Sequence, residues 1–339
     1  TAPITEAVLR KACRFITRAP KPDPRETHRT KKMTVRAQKS LELESPVTTP
    51  ALTDAMPGVA VRARPEKLWL AIYLPALALD VFAPSASTPL AVVAGSGSKQ
   101  RIVAANAPAR HAGIRGGHSL NAAYALAPEL STVERNTHRE QAALTRLAGW
   151  AGQFTSDVSI DSDHVLLLEV RGSVKLFGGL ERLLARIRNG LDELGYQVSL
   201  SIAPTPLAAR WLARAGDGHR VLETARLPGA LGPLPVSYLD WKDSVLQALS
   251  QIGVTRVRDC LRLPRDGFAR RFGQARLAEL DRALGRLPDP REPFEPPARF
   301  DALLELPADV DDVQQANFAL NRLVQELAGY LRACCLLYT

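Results

Sequence analysis

The most apolar stretch of the chain, Leu68 to Leu79, limits the folds that the sequence can adopt. It is shorter than the roughly 18 residues that a helix needs to span a bilayer. Its first part, Leu68 to Leu74, is rich in strand formers and is followed by Pro75, which indicates a buried strand. The first residues also lack the charged-then-apolar pattern of a signal peptide. We therefore expect a cytoplasmic protein without membrane contact.

The elements that follow this strand alternate between strand and helix patterns. The sequence predicts strands at 89–94, 101–105, 157–161, 165–170 and 198–203, and helices opening at 107, 137, 180 and 206. This order is typical of an α+β domain with a sheet rich in antiparallel pairs. From Arg226 to about Arg286 the pattern is purely helical. After a proline-rich segment, it indicates a strand at 300–306 and a helix from Val313 to Leu331.

The basic charge is concentrated at the beginning of the chain. Residues 1–64 hold 13 Lys and Arg against 6 Asp and Glu, and their lack of periodicity predicts a disordered basic tail. A second excess, of seven arginines over two aspartates, lies between Arg256 and Arg276. The four cysteines and six histidines show no metal-ligand spacing, so we expect no structural metal.

Several stretches carry recognisable motifs in a consistent order. These are the fingers-type run Ala104 to Gly117, the strand Leu168 to Arg171, the strand and helix Ser199 to Ala213, the helix-hairpin-helix pattern Ile252 to Leu261, and the Arg-Phe-Gly at 271–273. Together they resemble the Y-family (UmuC-like) DNA polymerases. Two further stretches, Leu68 to Pro75 and Gly172 to Gly179, resemble the ImuB-type branch of that family, which is catalytically degenerate.

The resemblance implies a right-hand architecture with a palm, small fingers, a helical thumb and a truncated little finger. Its boundaries would be a palm at 65–225 with fingers inserted at about 78–135, and a thumb at 226–287. A linker at 288–298 would lead to the start of a little finger at 299–339, where the sequence stops abruptly.

An active member of this family has one Asp in its first strand and an Asp-Glu pair in a palm hairpin, and these hold two Mg²⁺ ions. By the resemblance, the first-strand positions are occupied by Tyr73 and Pro75. Counting back from Leu168 and Glu169 places the hairpin pair at His164 and Val165. The catalytic positions would then hold no metal ligand, and we expect no cofactor.

A competing alignment of the hairpin keeps one carboxylate. It takes Ser159 to Asp161 as the family's Ser-Ile-Asp and places Ser162 where the Glu should be. A residual Mg²⁺ site from Asp161, Asp163 and Glu169 in an altered geometry then stays open as the alternative.

The nucleotide pocket of the family is also altered in this sequence. The Tyr and Glu of the fingers motif are replaced by Ala107 and Pro108, and the Asn-Lys of the palm helix by Thr205 and Pro206. By the resemblance, Arg110 is the remaining candidate for a contact with a triphosphate.

The thumb motif keeps the features that contact DNA. A helix-hairpin-helix places the backbone N–H groups of a tight glycine turn against a phosphate, and Gly253, Val254 and Thr255 fit that turn. Arg256, Arg258 and Arg262 would add attraction to phosphates that is independent of base sequence and sensitive to salt.

These observations favour a DNA-binding factor of DNA repair and SOS mutagenesis that does not itself catalyse synthesis. The resemblance implies as partners DNA, a sliding clamp, an error-prone C-family polymerase and a RecA-like accessory protein, in the nucleoid of a bacterial cytoplasm. Two alternatives remain: an active or weakly active lesion-bypass polymerase, and a non-functional fragment.

Overall fold

The computed structural model describes residues 67–82, 88–162, 164–304 and 313–337, and the predicted basic tail lies outside them. The strands of the described residues are β1 Trp69–Tyr73, β2 Leu90–Ala94, β3 Arg101–Ala105, β4 Ser131–Glu134, β5 Val158–Ser162, β6 Val165–Glu169, β7 Ser199–Ala203 and β8 His219–Arg220.

The helices of the same residues are α1 Leu77–Asp80, α2 Ala107–His111, α3 Leu120–Leu126, α4 Thr137–Ala151, α5 Ser173–Leu176, α6 Leu180–Glu193, α7 Pro206–Ala215, α8 Leu227–Leu231, α9 Asp243–Gln251, α10 Val257–Arg262, α11 Arg265–Phe272, α12 Gln274–Ala283 and α13 Val313–Leu337. Short 3₁₀ turns lie at Gly97–Lys99, Thr224–Arg226 and Val236–Leu239. None of the described helices is both long and apolar enough to cross a membrane.

The larger sheet has the strand order β5-β6-β1-β7-β8. The central strand β1 pairs antiparallel with β6 and β7, and only β7 and β8 are parallel. Because side chains alternate across a strand, β1 contributes to two cores. Leu70 and Ile72 pack towards α4 and α6, whereas Trp69 and Ala71 pack towards α7 and the helices that follow it.

A smaller sheet, in the order β3-β2-β4, interrupts the sequence between β1 and α4. It has its own core, built from Val93, Ile102, Ile114 and small alanines of α2 and α3. These elements occupy the place in the sequence that the resemblance assigns to the fingers. The predicted α+β class and the right-hand arrangement are therefore confirmed.

The helix predicted to open at 206 begins at Pro206, but the predicted strand at 300–306 was wrong over its described part. Thr205 Oγ1 accepts a hydrogen bond from Ala208 N–H at 3.3 Å, as an N-cap residue does. Phe300 lies outside any strand, and its ring packs against Tyr330 of α13, with the centroids 5.5 Å apart. The segment is thus stabilised by a helix rather than by a partner strand.

Helix α13 packs against α4 and is fixed there by buried charges. Arg322 and Glu326 are each 1% exposed. The Arg322 guanidinium lies 4.1 Å from the centroid of the Tyr196 ring and donates to the Asp80 carbonyl at 2.7 Å. Glu326 in turn accepts from Arg146 of α4 at 2.7 Å. This ionic network, formed by Asp80, Arg146, Tyr196, Arg322 and Glu326, joins the C-terminal helix to the palm.

The Asp80 carboxyl gives the palm a pH-dependent stability. Burial raises the pKa of Asp80 from its ordinary value of 3.8 to about 7, although the Gln197 N–H and the Arg322 guanidinium lower it in part. The folded state therefore retains a proton that the unfolded state releases, and the free energy of unfolding falls as the pH rises from about 4 to about 7.

Asp80→Asn is expected to remove this pH dependence, because the amide resembles the neutral acid and can still accept from Gln197. Relative to the wild type, the variant should gain roughly 2 kcal/mol of unfolding free energy between pH 5 and pH 7, at 1.36 kcal/mol per pKa unit. Urea denaturation of both proteins at the two pH values measures the difference. Parallel pH profiles would contradict the assignment to Asp80.

Candidate functional site

The C-terminal end of β1 carries the positions at which the resemblance places catalytic carboxylates. Tyr73 ends the strand and is the Cα partner of Val165 on β6. Val165 is buried, and Tyr73 packs against the same core. Pro75 is exposed in the following turn, and the Leu74 N–H donates to the His164 carbonyl at 2.9 Å. The structure thus brings Tyr73, His164 and Val165 together, and none of the three is a carboxylate.

Asp161, near the end of the neighbouring strand β5, is held between two arginines. Arg210 Nη1 lies 2.9 Å from Asp161 Oδ2, and Arg291 Nη1 donates to Oδ1. The Asp161 side chain is only 3% exposed. Oδ1 therefore accepts a hydrogen bond from Arg291, whereas Oδ2 is ion-paired with Arg210 without a hydrogen bond, and both positive charges disfavour a metal ion beside this carboxylate. Asp163, the other hairpin candidate, lies outside the described residues.

Glu169, the third member of the alternative carboxylate set, lies at the opposite end of β6. Its Cα partner is Trp69, four residues from the Tyr73 and Val165 pair, which is roughly 13 Å along a strand. Glu169 Oε1 accepts from the N–H groups of Leu68 at 2.9 Å and Arg171 at 3.1 Å. Glu169 therefore stabilises the far end of the sheet and does not share an ion with Asp161.

Sequence reasoning missed the charged residues that surround Asp161. We call them the arginine–aspartate cluster: Asp161, Arg210, Arg214, Asp240, Asp289 and Arg291. Arg210 and Arg214 lie one turn apart on α7 and both pair with Asp240. The Arg214 guanidinium also lies 5.8 Å from the centroid of the Tyr73 ring, and burial lowers its pKa. A cation thus sits beside the position at which the family has its first catalytic Asp.

Asp240 joins the thumb to this cluster with an unusual backbone. Its φ of 56° makes it the single non-glycine residue with positive φ in the part of the chain that the structure describes. Aspartate tolerates the left-handed region better than most residues. The conformation directs its carboxylate to Arg210 and Arg214, so the thumb contributes a charge to the palm.

The segment 288–298, predicted as a linker, contributes the remaining members of the cluster. Arg291 Nη2 donates to Asp289 Oδ2 at 2.7 Å in addition to its bond with Asp161. Asp289 also accepts from the Leu207 N–H at 3.2 Å, and the Phe294 N–H donates to the Val158 carbonyl at 2.7 Å. The segment is therefore attached to the palm at three points.

The described residues at this end of the sheet, which do not include Asp163, do not fit the Mg²⁺ ions of an active polymerase. Mg²⁺ requires oxygen ligands at near-octahedral geometry, and the metal pair of a nucleotidyl transferase needs several carboxylates. Across the described ranges, no three His, Cys, Asp or Glu side chains lie close enough together to hold a metal ion. The carboxylates of the cluster are paired instead with guanidinium groups.

The positions that the resemblance assigns to nucleotide binding, Arg110 and Pro206, lie in different parts of the structure. Arg110 Nη1 donates to the Ala105 carbonyl at 2.6 Å within the fingers. Pro206 follows the end of β7 at which Ala203 is paired with Trp69. It therefore lies at the end of the sheet opposite Tyr73, and the contact of Arg110 with a triphosphate stays a prediction.

The thumb forms the predicted turn, but its backbone N–H groups already have acceptors. Gly253 has φ 74°, and its N–H donates to the Ser250 carbonyl at 3.0 Å. The Val254 N–H donates to Leu249 at 3.0 Å. The N–H groups of Thr255 and Arg256 both donate to Asp259 Oδ2, at 3.4 Å and 3.0 Å.

Two of these four N–H groups, those of Thr255 and Arg256, thus donate to a capping carboxylate, and phosphate binding at the turn stays a prediction. The Arg258 N–H likewise donates to the Gly232 carbonyl at 3.0 Å. The side chains of Arg256, Arg258 and Arg262 remain exposed on this surface. Contact with DNA at the thumb would come from these guanidinium groups.

Sequence comparisons relate part of this chain to known proteins. Residues 80–214 match the model of the impB/mucB/samB family. Protein ImuB of Caulobacter vibrioides is 35% identical over 173 residues, which are 51% of this chain and 38% of that protein. DNA polymerase IV of Moorella thermoacetica is 29% identical over 168 residues, which are 48% of this chain and 41% of that protein. The chain thus spans about two fifths of the length of these two relatives.

Solved structures share the fold. The insertion ternary complex of Dbh DNA polymerase superimposes with a TM-score of 0.55 at 19% identity, covering 66% of this chain and 69% of that one. DinB from Sulfolobus solfataricus superimposes with a TM-score of 0.52 at 21% identity, covering 67% and 69%. The likeness confirms the arrangement of the palm sheet, the inserted small sheet and the helical region that follows them.

Proposed function

We propose that this chain, which belongs to the Y-family of DNA polymerases, is a DNA-binding factor that does not catalyse synthesis. The observation that carries the proposal is the pairing of Asp161 with Arg210 and Arg291 at the end of the sheet where Tyr73 and Val165 replace carboxylates. The scaffold that holds a primer and a template is kept, and the ligands for the metal ions are not.

The chemistry of the family explains why a site without carboxylate ligands for metal ions would not catalyse nucleotide addition. A metal ion ligates the attacking 3′ hydroxyl and lowers its pKa, and a second ion stabilises the departing pyrophosphate. A guanidinium group carries positive charge and donates hydrogen bonds, but it has no vacant orbital to ligate a hydroxyl oxygen. Arginines at this locus could attract phosphates, but they cannot activate the nucleophile.

Binding to DNA is assigned to the exposed arginines of the thumb. Arg256, Arg258 and Arg262 are close in sequence around α10 and all face solvent. Positive side chains on such a surface bind phosphates by releasing condensed counterions, so affinity should fall steeply with salt and depend little on base sequence. We expect primer-template DNA to be the ligand.

The sequence resemblance to the ImuB-type branch supports a finer proposal. The factor would act in SOS-induced mutagenic translesion synthesis, and would connect DNA with a sliding clamp, an error-prone C-family polymerase and a RecA-like accessory protein in the bacterial nucleoid. These partners are proposed from the resemblance alone, because the described residues suggest a surface for DNA but none for them.

A primer-extension assay combined with DNA binding tests the proposal. With labelled primer-template, nucleotides and Mg²⁺ or Mn²⁺, the protein should bind DNA but add no nucleotide, while a DNA polymerase IV assayed in parallel extends the primer. The double variant Arg258→Glu and Arg262→Glu should weaken binding on the order of tenfold at about 0.1 M salt. Fluorescence anisotropy measures the affinity.

The matched control is Lys175→Glu with Arg182→Glu, which changes the net charge equally at exposed positions of the palm. It should bind DNA like the wild type. Metal-dependent extension that is lost in Asp161→Asn would overturn the proposal and would identify Asp161 as a catalytic ligand, as in an active lesion-bypass polymerase.

A further inference from the structure

Helix α13 carries a row of apolar side chains on the face that points away from the palm. Leu320 is 60% exposed, Val324 43%, Leu327 38% and Leu331 50%. They follow one another at intervals of four, three and four residues, so they lie along one side of the helix. We call this row the α13 seam. The solvent face of a surface helix is ordinarily charged or polar, and a contiguous apolar row marks a contact surface.

The opposite face of α13 is already packed against the palm. Gly329 lies so close to the Trp150 ring of α4 that no side chain would fit in its place, and Ala333 lies against Gly152. The buried members of the ionic network lie on the same side of the helix. Rotating α13 to bury the seam against its own palm would break these contacts. The seam therefore needs a different partner to cover it.

The narrow width of the seam favours a helix as that partner. Intervals of four and three residues are those of the a and d positions of a heptad repeat, which form the thin contact stripe of a coiled coil. The exposed Asn321 borders the seam on one side, and Tyr330 on the other side is turned into the palm. A helix that packs on a broad apolar surface presents a wider stripe than this.

The residue types of the seam favour a second copy of the same helix. Val324 stands at an a position, and Leu320 and Leu327 stand at d positions. A β-branched residue at a with leucine at d favours parallel pairs of helices. The exposed Asn317 occupies the a position one heptad before Val324, and a single asparagine at a specifies the register of such pairs.

The charges of α13 also suit a second copy. The e and g positions that flank the seam between residues 317 and 331 are all uncharged: Asn321, Leu323, Ala328 and Tyr330. Charges at these positions select between different partners, and like charges that face each other oppose association. Two identical α13 seams can therefore meet without repulsion.

The size of the seam sets the strength of the pairing. Its exposed side chains offer less surface than the roughly 800 Å² per partner of a standard interface. In compensation, the palm already holds α13 as a helix, so association does not have to order it. Pairing should therefore be reversible and depend on protein concentration.

We infer that two copies of this chain associate through the α13 seam as a parallel two-stranded coiled coil, with the two palms on opposite sides of the helix pair. The inference goes beyond the proposed function and does not depend on it, because neither the binding of DNA nor the missing metal ligands contributes to the contact.

Sedimentation velocity of the full chain, at protein concentrations from about 1 to 100 µM, tests the association. The wild type should shift from monomer towards dimer as its concentration rises. Leu320→Glu with Leu327→Glu should raise the dissociation constant at least about tenfold, because carboxylates would face each other across the seam. The matched control, Leu126→Glu with Leu176→Glu, changes two exposed leucines elsewhere and should associate like the wild type.

Cross-linking through Cys334 tests the parallel direction. Cys334 is partly exposed and stands seven residues after Leu327, so it extends the row of d positions, and parallel pairing brings the two Cys334 thiols together. Diamide, which takes up the two electrons and two protons that the thiols release, should yield a covalent dimer. Cys334→Ser should abolish this dimer, and the matched control Cys335→Ser, at the neighbouring e position, should retain it.

Each result supports or overturns the inference. A wild type that stays monomeric over the whole concentration range would overturn it, and so would equal weakening by the seam variant and by its control when both melt like the wild type. A dimer whose cross-link does not require Cys334 would contradict the parallel arrangement. Primer extension by the wild type would refute the proposed function alone, since it leaves the sedimentation result unchanged.

Discussion

Replacing Asp161 by asparagine should lower the free energy of unfolding by about 3 to 4 kcal/mol, because it leaves two largely buried guanidinium groups without their shared anion. In the variant, Arg210 still pairs with Asp240 and Arg291 still pairs with Asp289. The loss of unfolding free energy should therefore lie near the lower end of the range for broken buried ion pairs. Urea denaturation of the wild type and the variant measures it. In a metal-binding protein the same change would instead abolish stabilisation by Mn²⁺.

A double-mutant cycle with Arg291→Met assigns the effect to the pair. If Asp161 and Arg291 act on each other, the double variant should be less destabilised than the sum of the single variants by about 1 kcal/mol or more. If the losses of unfolding free energy in the two single variants simply add, Asp161 and Arg291 do not act as a pair. If Mn²⁺ raises the melting temperature of the wild type but not that of Asp161→Asn, Asp161 binds a metal ion instead.

Arg322→Met should be the most destabilising of the substitutions considered, with a loss of about 3 to 5 kcal/mol in the free energy of unfolding. Methionine fills much of the arginine's volume, so the effect reports on charge more than on packing. The change removes the contact with the Tyr196 ring and the hydrogen bond to the Asp80 carbonyl. It also leaves Glu326, which is buried, with Arg146 as its remaining cation.

The control for this prediction is the triple variant Arg146→Met, Arg322→Met and Glu326→Leu, which removes both cations that pair with Glu326. Replacing buried ionic groups by apolar side chains of similar volume is often neutral, so the triple variant should recover much of the loss, measured in the same urea titration. If the triple variant is less stable than Arg322→Met alone, the charges do not act as one network. If Arg322→Met unfolds like the wild type, α13 is not held by this network.

Local patterns allowed the architecture to be predicted, and long-range pairing limited the prediction of the site. Strand-forming runs predicted β5 and β6, and periodicity predicted the helical region after Arg226. Asp161 and Arg291 are 130 residues apart, and no spacing in the sequence relates them. A signal did exist for Arg210 and Arg214, because residues four apart lie on one helix face.

Competing partners also limited what the motifs could predict. In the thumb, Asp259 accepts from the N–H groups of Thr255 and Arg256, and a capping carboxylate three residues after Arg256 could have been read from the sequence. At Phe300, the strand pattern depended on a neighbouring strand, whereas the ring packs against Tyr330 of α13.

The three attachments of segment 288–298 have an evolutionary consequence. Asp289, Arg291 and Phe294 each meet a fixed point of the palm, and the distances between those points set the number of residues between the attachments. Substitutions that keep these contacts should accumulate freely among related sequences. Insertions and deletions between 289 and 294 should be rare, since a shift of one residue would misplace every attachment beyond it.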